Sequence, residues 1–367
     1  MEAEASADAQ RSAMLAGLIR VEMDRAGGAV PFARFMELAL YAPDLGYYEN
    51  ATVGRKGDFY TSVSVGPLFG ELMALQGVSW LEEVEQPVWV EAGAHDGRFA
   101  ADFLAWMRAN APSLYGRMRY RIVEPSVRRR GWQQQTLKEH GEIVEWSDSM
   151  EPFSGVLFGN ELLDAFPVER FGWERTTGTW FRWGVQAIGS RFDWCRLPAG
   201  PIEGTPIDGL PTELLEVLPD GYTVECSPLA EQWWRNAATA LRRGRMVTLD
   251  YGYEAAERFR PERTRGTLRG FRAHRFADDV LADPGCVDLT THVDFGRIAE
   301  VGERAGLTSE LLETQRRFLT GIMAQTLKAG AGVDFGEWTP SRVRQFQTLT
   351  HPQHLGHSFR VLVQARR

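Results

Sequence analysis

From about residue 87 the chain alternates short apolar runs with amphipathic helical stretches, and this rhythm limits the folds open to it more than any other feature. Val88-Trp89-Val90-Glu91 reads as a buried strand, followed by a Gly-containing turn and a helix from Arg98 to Asn110. Tyr120 to Glu124 reads as a second strand and Ser126 to Glu139 as a second helix. Ile143 to Trp146, Val156 to Gly159 and Met246 to Tyr251 give a third, fourth and fifth strand. Strands joined by helices pair in parallel, because a crossover returns the chain to the same end of the sheet. The expectation is an α/β protein with helices on both faces of a doubly wound sheet.

The flanks read differently. Residues 11 to 40 suggest two helices, the first ending at Gly27-Gly28 and the second opening at Pro31. Pro43 to Gly70 is turn-rich and too long for a plain linker, which points to a functional loop. Residues 170 to 193 alternate in short strands with Gly turns, as an antiparallel insertion would. Residues 262 to 345 read as a second insertion, mostly helical after Asp294, and SFRVLVQARR as a closing strand. The organisation expected is therefore a helical N-terminal region with a site-covering loop over 1–70, then one domain over 71–367 with insertions at about 170–222 and 262–345.

A net charge of −8 argues against nucleic-acid binding, which needs a basic footprint. Three cysteines, Cys195, Cys226 and Cys286, with no C-x-x-C, argue against a disulfide framework or zinc site. The N-terminus, MEAEASADAQRSAM, is acidic and lacks an apolar core, unlike a secretory signal or transit peptide. No apolar stretch approaches the ~20 residues that span a bilayer. The expectation is a cytoplasmic protein without membrane insertion. A homodimer is compatible with the chain, isologous pairing being common, though no residue fixes it.

Doubly wound sheets bind ligands at the carboxyl ends of their strands. At the first of these stands Glu91-Ala92-Gly93-Ala94-His95-Asp96-Gly97. Gly93 and Gly97 let the backbone turn sharply and approach a ligand. Glu91 is placed to take the charged amino-acid end of a cofactor, and Glu124, ending the second strand, to accept from two ribose hydroxyls. Glu124 lies 31 residues after Gly93, beyond the ~20 of dinucleotide folds, which suits a methyl-donor site better than a dehydrogenase. Two readings stand for Trp146 at the third strand end: a flank for adenine, or a core aromatic.

Several motifs together resemble the MidA-like family of S-adenosylmethionine-dependent methyltransferases, whose mitochondrial members assist respiratory complex I assembly. They are FMELALY at 35–41, DLGYY at 44–48, GDFYTS at 57–62, PLFG at 67–70, NELLDAFPV at 160–168, GTLR at 266–269 and DLTTHVDF at 288–295. The resemblance runs from about residue 30 to the C-terminus. It implies a Rossmann-like, seven-stranded class I methyltransferase sheet, S-adenosylmethionine as donor and a protein arginine as acceptor. The chain departs from the family loop, E-x-G-x-G-x-G, at its centre, where His95 replaces glycine; a side chain there crowds the cofactor or points away.

Arginine is a poor nucleophile because its guanidinium stays protonated. A carboxylate can hold the fork and draw off a proton as the methyl arrives. Glu161 is the first candidate for that role and Asp164 the second, with Asn160 holding substrate or the cofactor's amino group. All three open the segment after the fourth strand, although acids also favour a helix start. Asp58, Tyr60 and Thr61 of GDFYTS are expected to contact the cofactor from a lid, or else Phe59 and Tyr60 plug the core. His292 could act as a base, but a structural role for it and a capping role for Asp294 are preferred. His351, His354 and His357 lack a cysteine pattern to complete a zinc site and read as surface or packing residues. Two other functions remain open: methylation of a small molecule, and a non-catalytic assembly protein that has kept the fold.

Overall fold

The computed structural model describes residues 2–50, 61–272, 275–328 and 337–367. Its central sheet is built from β1 (Val88–Ala92), β2 (Arg119–Val123), β3 (Val144–Ser147), β4 (Phe153–Asn160), β5 (Leu241–Tyr253), β6 (Thr308–Thr314) and β7 (Phe359–Arg366). The spatial order is β3-β2-β1-β4-β5-β7-β6. β1 to β5 pair in parallel, and β7 runs antiparallel to both β5 and β6. A two-residue strand, Val293–Asp294, joins the end of β5 in parallel as an eighth.

Successive side chains of a strand face opposite ways, and here both faces are covered. Trp89, Val156, Phe158 and Val247 pack with Phe69, Phe99 and Phe103 on one face. Val90, Leu157, Met246 and Leu362 pack with Trp234, Phe295 and Ile298 on the other. That is why these strands read as apolar runs rather than alternating ones. The helix Arg98–Asn110 buries Phe99, Phe103, Leu104 and Met107 at helical spacing, leaving its polar face to solvent. The next helix, Val127–Thr136, is capped by Ser126, whose Oγ accepts from the Arg129 N–H at 3.3 Å.

A second, antiparallel sheet comprises Glu169–Glu174, Thr179–Ile188, Arg191–Pro198 and Thr223–Cys226, with Ala29–Pro31 added at one edge. The N-terminal helices Glu2–Arg25 and Phe32–Tyr41 pack against it. Leu15, Ile19, Met23 and Phe35 form a separate core with Val185, Phe192, Leu268 and Leu289.

The stretch 262–345 carries helices after Asp294, where helix was expected, and strands as well. It contains a three-stranded antiparallel sheet (Arg269–Arg272, Arg275–Phe276, Asp288–Thr290) and, after the helix Phe295–Arg304, the central strand β6. β6 reads Thr-Ser-Glu-Leu-Leu-Glu-Thr and is only half-buried at the sheet edge, so its sequence carries little apolar signal. Pairing with β7 makes it a strand. Among the described residues no helix is long and apolar enough to cross a membrane.

The strand order reverses between β1 and β4, with β2 and β3 on one side and β5 on the other. Ala92 lies beside Gly159 and Asn160 beside Leu249, so the carboxyl ends of β1, β4 and β5 are level. A crevice opens outside these ends, as it does at such switch points in open α/β sheets.

Candidate functional site

The crevice holds a cavity of about 510 Å³, within the ~300–1,000 Å³ of small-molecule and cofactor sites. Its walls come from the loops after β1, β2, β3 and β4, from Tyr41, Tyr48 and Thr61 of the N-terminal segment, from Trp233 and Asn236 of the helix Pro228–Ala240, and from Thr290.

The β1 loop forms one side. Gly93 has φ +78° and faces the cavity, and a Cβ there would come within 3.1 Å of the Leu162 side chain. Gly97, φ +81°, turns the chain into the helix Arg98–Asn110. His95 lies between them at φ +44°. The position thus keeps the left-handed backbone that glycine adopts freely and other residues adopt at a cost. The His95 ring lies 6.0 Å from Trp132, with Nδ1 3.9 Å from Asp96 Oδ1, and its buried Nε2 has no hydrogen-bond partner.

Glu91 is buried and accepts from the Tyr120 hydroxyl at 2.7 Å. Burial pushes its carboxyl up to about 8, against the pull of that hydrogen bond. Glu124 is buried at the end of β2, where it accepts from the Ser126 N–H at 2.9 Å and from Gln133 Nε2 at 3.3 Å, and its Oε2 lies 3.0 Å from Arg129 Nε. Gln133 also donates to the His95 carbonyl at 3.0 Å and accepts from Trp146 Nε1 at 2.9 Å. One side chain therefore ties the loops after β1 and β2 to β3. Trp146 itself is half-buried against the sheet core and does not line the cavity wall. Asp148, Ser149 and Met150, just after it, do line the wall.

Acidic groups gather at the end of β4. Glu161, at φ +50°, accepts on Oε1 from the Ser62 N–H and from Asn160 Nδ2, both at 3.0 Å. Its Oε2 is buried without a partner, as is Asn160 Oδ1. Asp164 is buried and also lines the cavity. Asp250 lies fully buried behind them on β5, and Asp288 accepts from the Tyr48 hydroxyl at 2.8 Å. Burial raises the Glu161 carboxyl to about 8; the Ser62 N–H and Asn160 lower it, and the Asp250 and Asp288 charges raise it further. Burial, then the charges of Asp250, Glu161 and Asp288, hold the Asp164 carboxyl well above the carboxylate range. Among the described residues, no Lys or Arg forms an ion pair with Glu161, Asp164 or Asp250.

Of the other residues singled out in the sequence, Asp58 and Tyr60 lie outside the described residues. Thr61 lines the cavity, and its neighbour Ser62 reaches Glu161. His292 is away from the cavity. It is half-buried near Thr267, with its ring pushed down to about 4 by desolvation and then by Arg263, which suits a structural residue. Asp294 caps the helix Phe295–Arg304, accepting from the Arg297 N–H at 3.2 Å. Arg129 in the cavity wall, and Gln133 and Asp250 behind it, were among the polar groups not singled out. Asp250 ends the apolar run Met246–Leu249, the signal that had marked Glu124. Arg129 and Gln133 are polar residues within a polar helix and carry no comparable mark.

Residues 72–312 match a family model described as "Putative S-adenosyl-L-methionine-dependent methyltransferase". The chain is similar to "Protein arginine methyltransferase NDUFAF7, mitochondrial" of Mus musculus, 27% identical over 377 residues, which cover 90% of this chain and 80% of that protein. The Drosophila melanogaster homolog is 28% identical over 319 residues, 76% of this chain and 68% of that one. A crystal structure of a COG1565 superfamily member from Burkholderia thailandensis, bound to S-adenosyl-homocysteine, superposes with a TM-score of 0.84 at 29% identity, covering 98% of this chain and 93% of that one. The mouse, fruit-fly and human relatives are named as mitochondrial proteins, and this corrects the expectation of a cytoplasmic one.

Proposed function

The chain belongs to the family of S-adenosyl-L-methionine-dependent methyltransferases, and from that premise we propose that it transfers a methyl group to an arginine side chain of a protein. Bound S-adenosylmethionine supplies a methyl on a sulfonium, already activated for in-line displacement. The residues around the cavity suit that donor. Gly93 offers bare backbone to it, His95 Nε2 is a buried polar atom in want of a partner, and Glu124 stands at the strand end where ribose hydroxyls are read. Glu91 and Gly97 shape the same loop, and Thr61 borders it from the N-terminal segment. Residues 1–70 act as the cover of this site and 71–367 as the methyl-transferring domain.

The acceptor reading rests on one observation: Glu161 and Asp164 face the cavity with Asp250 close behind, and no cation of the described chain pairs with them. Buried carboxylates are costly without a partner. A guanidinium would bring positive charge and five N–H donors in a planar fork. Glu161 Oε2, free of any hydrogen bond, is the natural acceptor for that fork. Holding one edge of the guanidinium there turns another nitrogen toward the methyl, and the carboxylate takes up the proton that leaves. The names of the relatives point the same way. Position 95 keeps the backbone form of glycine, which supports a catalytic role over a non-catalytic assembly one.

Glu161→Gln keeps the shape and loses the charge. Turnover should fall by about 10²–10⁴-fold, while calorimetry should find the affinity for S-adenosylmethionine within about threefold of wild type. A matching loss of cofactor affinity would assign Glu161 to cofactor binding and contradict the reading.

A further inference from the structure

The segment that presents Glu161 is anchored by a residue that never reaches the cavity. Asp250 is wholly buried on β5 and absent from the cavity wall. Its Oδ2 accepts three consecutive backbone N–H groups, from Leu162 at 3.1 Å, Leu163 at 2.8 Å and Asp164 at 3.2 Å. Its Oδ1 accepts from the Tyr251 N–H at 2.9 Å, and the Glu161 N–H donates to the Leu249 carbonyl at 2.9 Å. The turn after β4 is thus tied to β5 at four successive residues, Glu161 to Asp164.

This matters because Glu161 stands at φ +50°, in the left-handed region. A non-glycine residue stays there only when its surroundings over-determine it, at a cost of about 1–3 kcal/mol. Consecutive N–H groups turned to one side form an anion-binding concavity, and here the anion is built into the chain. The three donors lie immediately after Glu161, so the carboxylate that gathers them also sets where the Glu161 side chain leaves the backbone. A neutral side chain would grip the donors less strongly, since hydrogen bonds to an ionised acceptor are about twice as strong.

We infer that Asp250 is a positioning residue, which holds Glu161 in reach of the acceptor by gathering the three backbone N–H groups that follow it. The inference rests on the reading of Glu161 as the acceptor-binding carboxylate. Misplacing a reacting group by about 1 Å can cost 10²-fold in rate. Asp250→Ala removes the carboxylate acceptor of the Leu162, Leu163 and Asp164 N–H groups, and of Tyr251 N–H, whereas Asp250→Asn leaves one oxygen to serve the first three.

The test is a double-mutant cycle on kcat, read by labelled methyl transfer to an arginine-containing protein at saturating cofactor, with cofactor affinity measured beside it. Asp250→Ala should lower kcat by about 100-fold and Asp250→Asn by about tenfold, with cofactor affinity within about threefold in both. In the Glu161→Gln background neither change should lower kcat further, because the group they position is already disabled. Losses that multiply across the two sites, or wild-type kcat in a folded Asp250→Ala variant, would overturn the assignment. If Asp250→Ala fails to fold, Asp250→Asn decides alone: a loss that vanishes on the Glu161→Gln background supports the role, and wild-type kcat overturns it. Should Glu161→Gln itself turn over normally, the reading of Glu161 fails on its own, before Asp250 enters.

Discussion

Among the described residues four non-glycines hold a left-handed backbone, Asp44, His95, Glu161 and Asp283, and two of these, His95 and Glu161, line the cavity. Such conformations cost energy and gather at functional sites. At His95 the cost arises because the loop keeps a glycine shape without the glycine. His95→Gly should therefore raise the melting temperature of the cofactor-free protein by about 1–3 °C, the order expected from relieving ~1 kcal/mol in a large domain. Scanning calorimetry checks this, and a lower melting temperature would show that the contact with Trp132 outweighs the strain. At Glu161 the sign of the pH dependence follows from burial. A carboxyl raised to about 8 is protonated in the free enzyme at neutral pH, and only its ionised form can hold a guanidinium. kcat/KM for an arginine acceptor should rise as pH rises toward about 8 and level off above it, since that parameter reports the free enzyme. Folding stability runs the other way. The Glu161 contribution is fully present below the unfolded carboxyl pKa and is lost as pH rises through about 8. Glu161→Gln should flatten both dependences; a kcat/KM profile unchanged in that variant would assign the titration to another group.

At the scale of elements, one side of the cavity is a set of loops held in register by the helix Val127–Thr136. Gln133 joins the His95 carbonyl, the Glu124 carboxylate and the Trp146 indole. Gln133→Leu should weaken S-adenosylmethionine binding by about tenfold, the worth of one or two hydrogen bonds, with kcat at saturating cofactor within about twofold. Titration calorimetry separates this from a uniform loss. The alternating elements were legible in the sequence because parallel strands buried on both faces must be apolar throughout, and the helix Arg98–Asn110 emerged with the bounds its pattern predicts. β6 was not legible, since a half-buried edge strand carries a weak pattern and owes its state to β7. The same divide runs through the site. Glu91, Glu124 and Glu161 could be picked out because each follows an apolar strand. Gln133 and Arg129 owe their places to tertiary packing, which leaves no local mark. Trp146 shows the converse: a strand-end aromatic whose indole N–H is taken by Gln133 and whose ring packs against the sheet core.

At the scale of the whole molecule there are two main bodies of core. One covers the faces of the central sheet, and the other joins the N-terminal helices to the antiparallel sheet and to Leu268 and Leu289. Thr290, one residue beyond Leu289, lines the cavity, as do Tyr41 and Tyr48, so this second body forms one wall of the site. Leu15 is fully buried in it. Leu15→Ala should cost about 2–5 kcal/mol, with faster hydrogen exchange across 29–42 and 179–198 and little change in the central strands. Uniform acceleration would mean that the two bodies unfold together. The acceptor proposed for the acidic edge of the cavity is an arginine of a protein. That assignment is tested most directly by incubating the purified chain with isotope-labelled S-adenosylmethionine and proteins from its own cells, then identifying the labelled residue by mass spectrometry. Label on methylarginine, lost with Glu161→Gln, is the expected outcome; label confined to small molecules, or to another residue type, overturns the assignment.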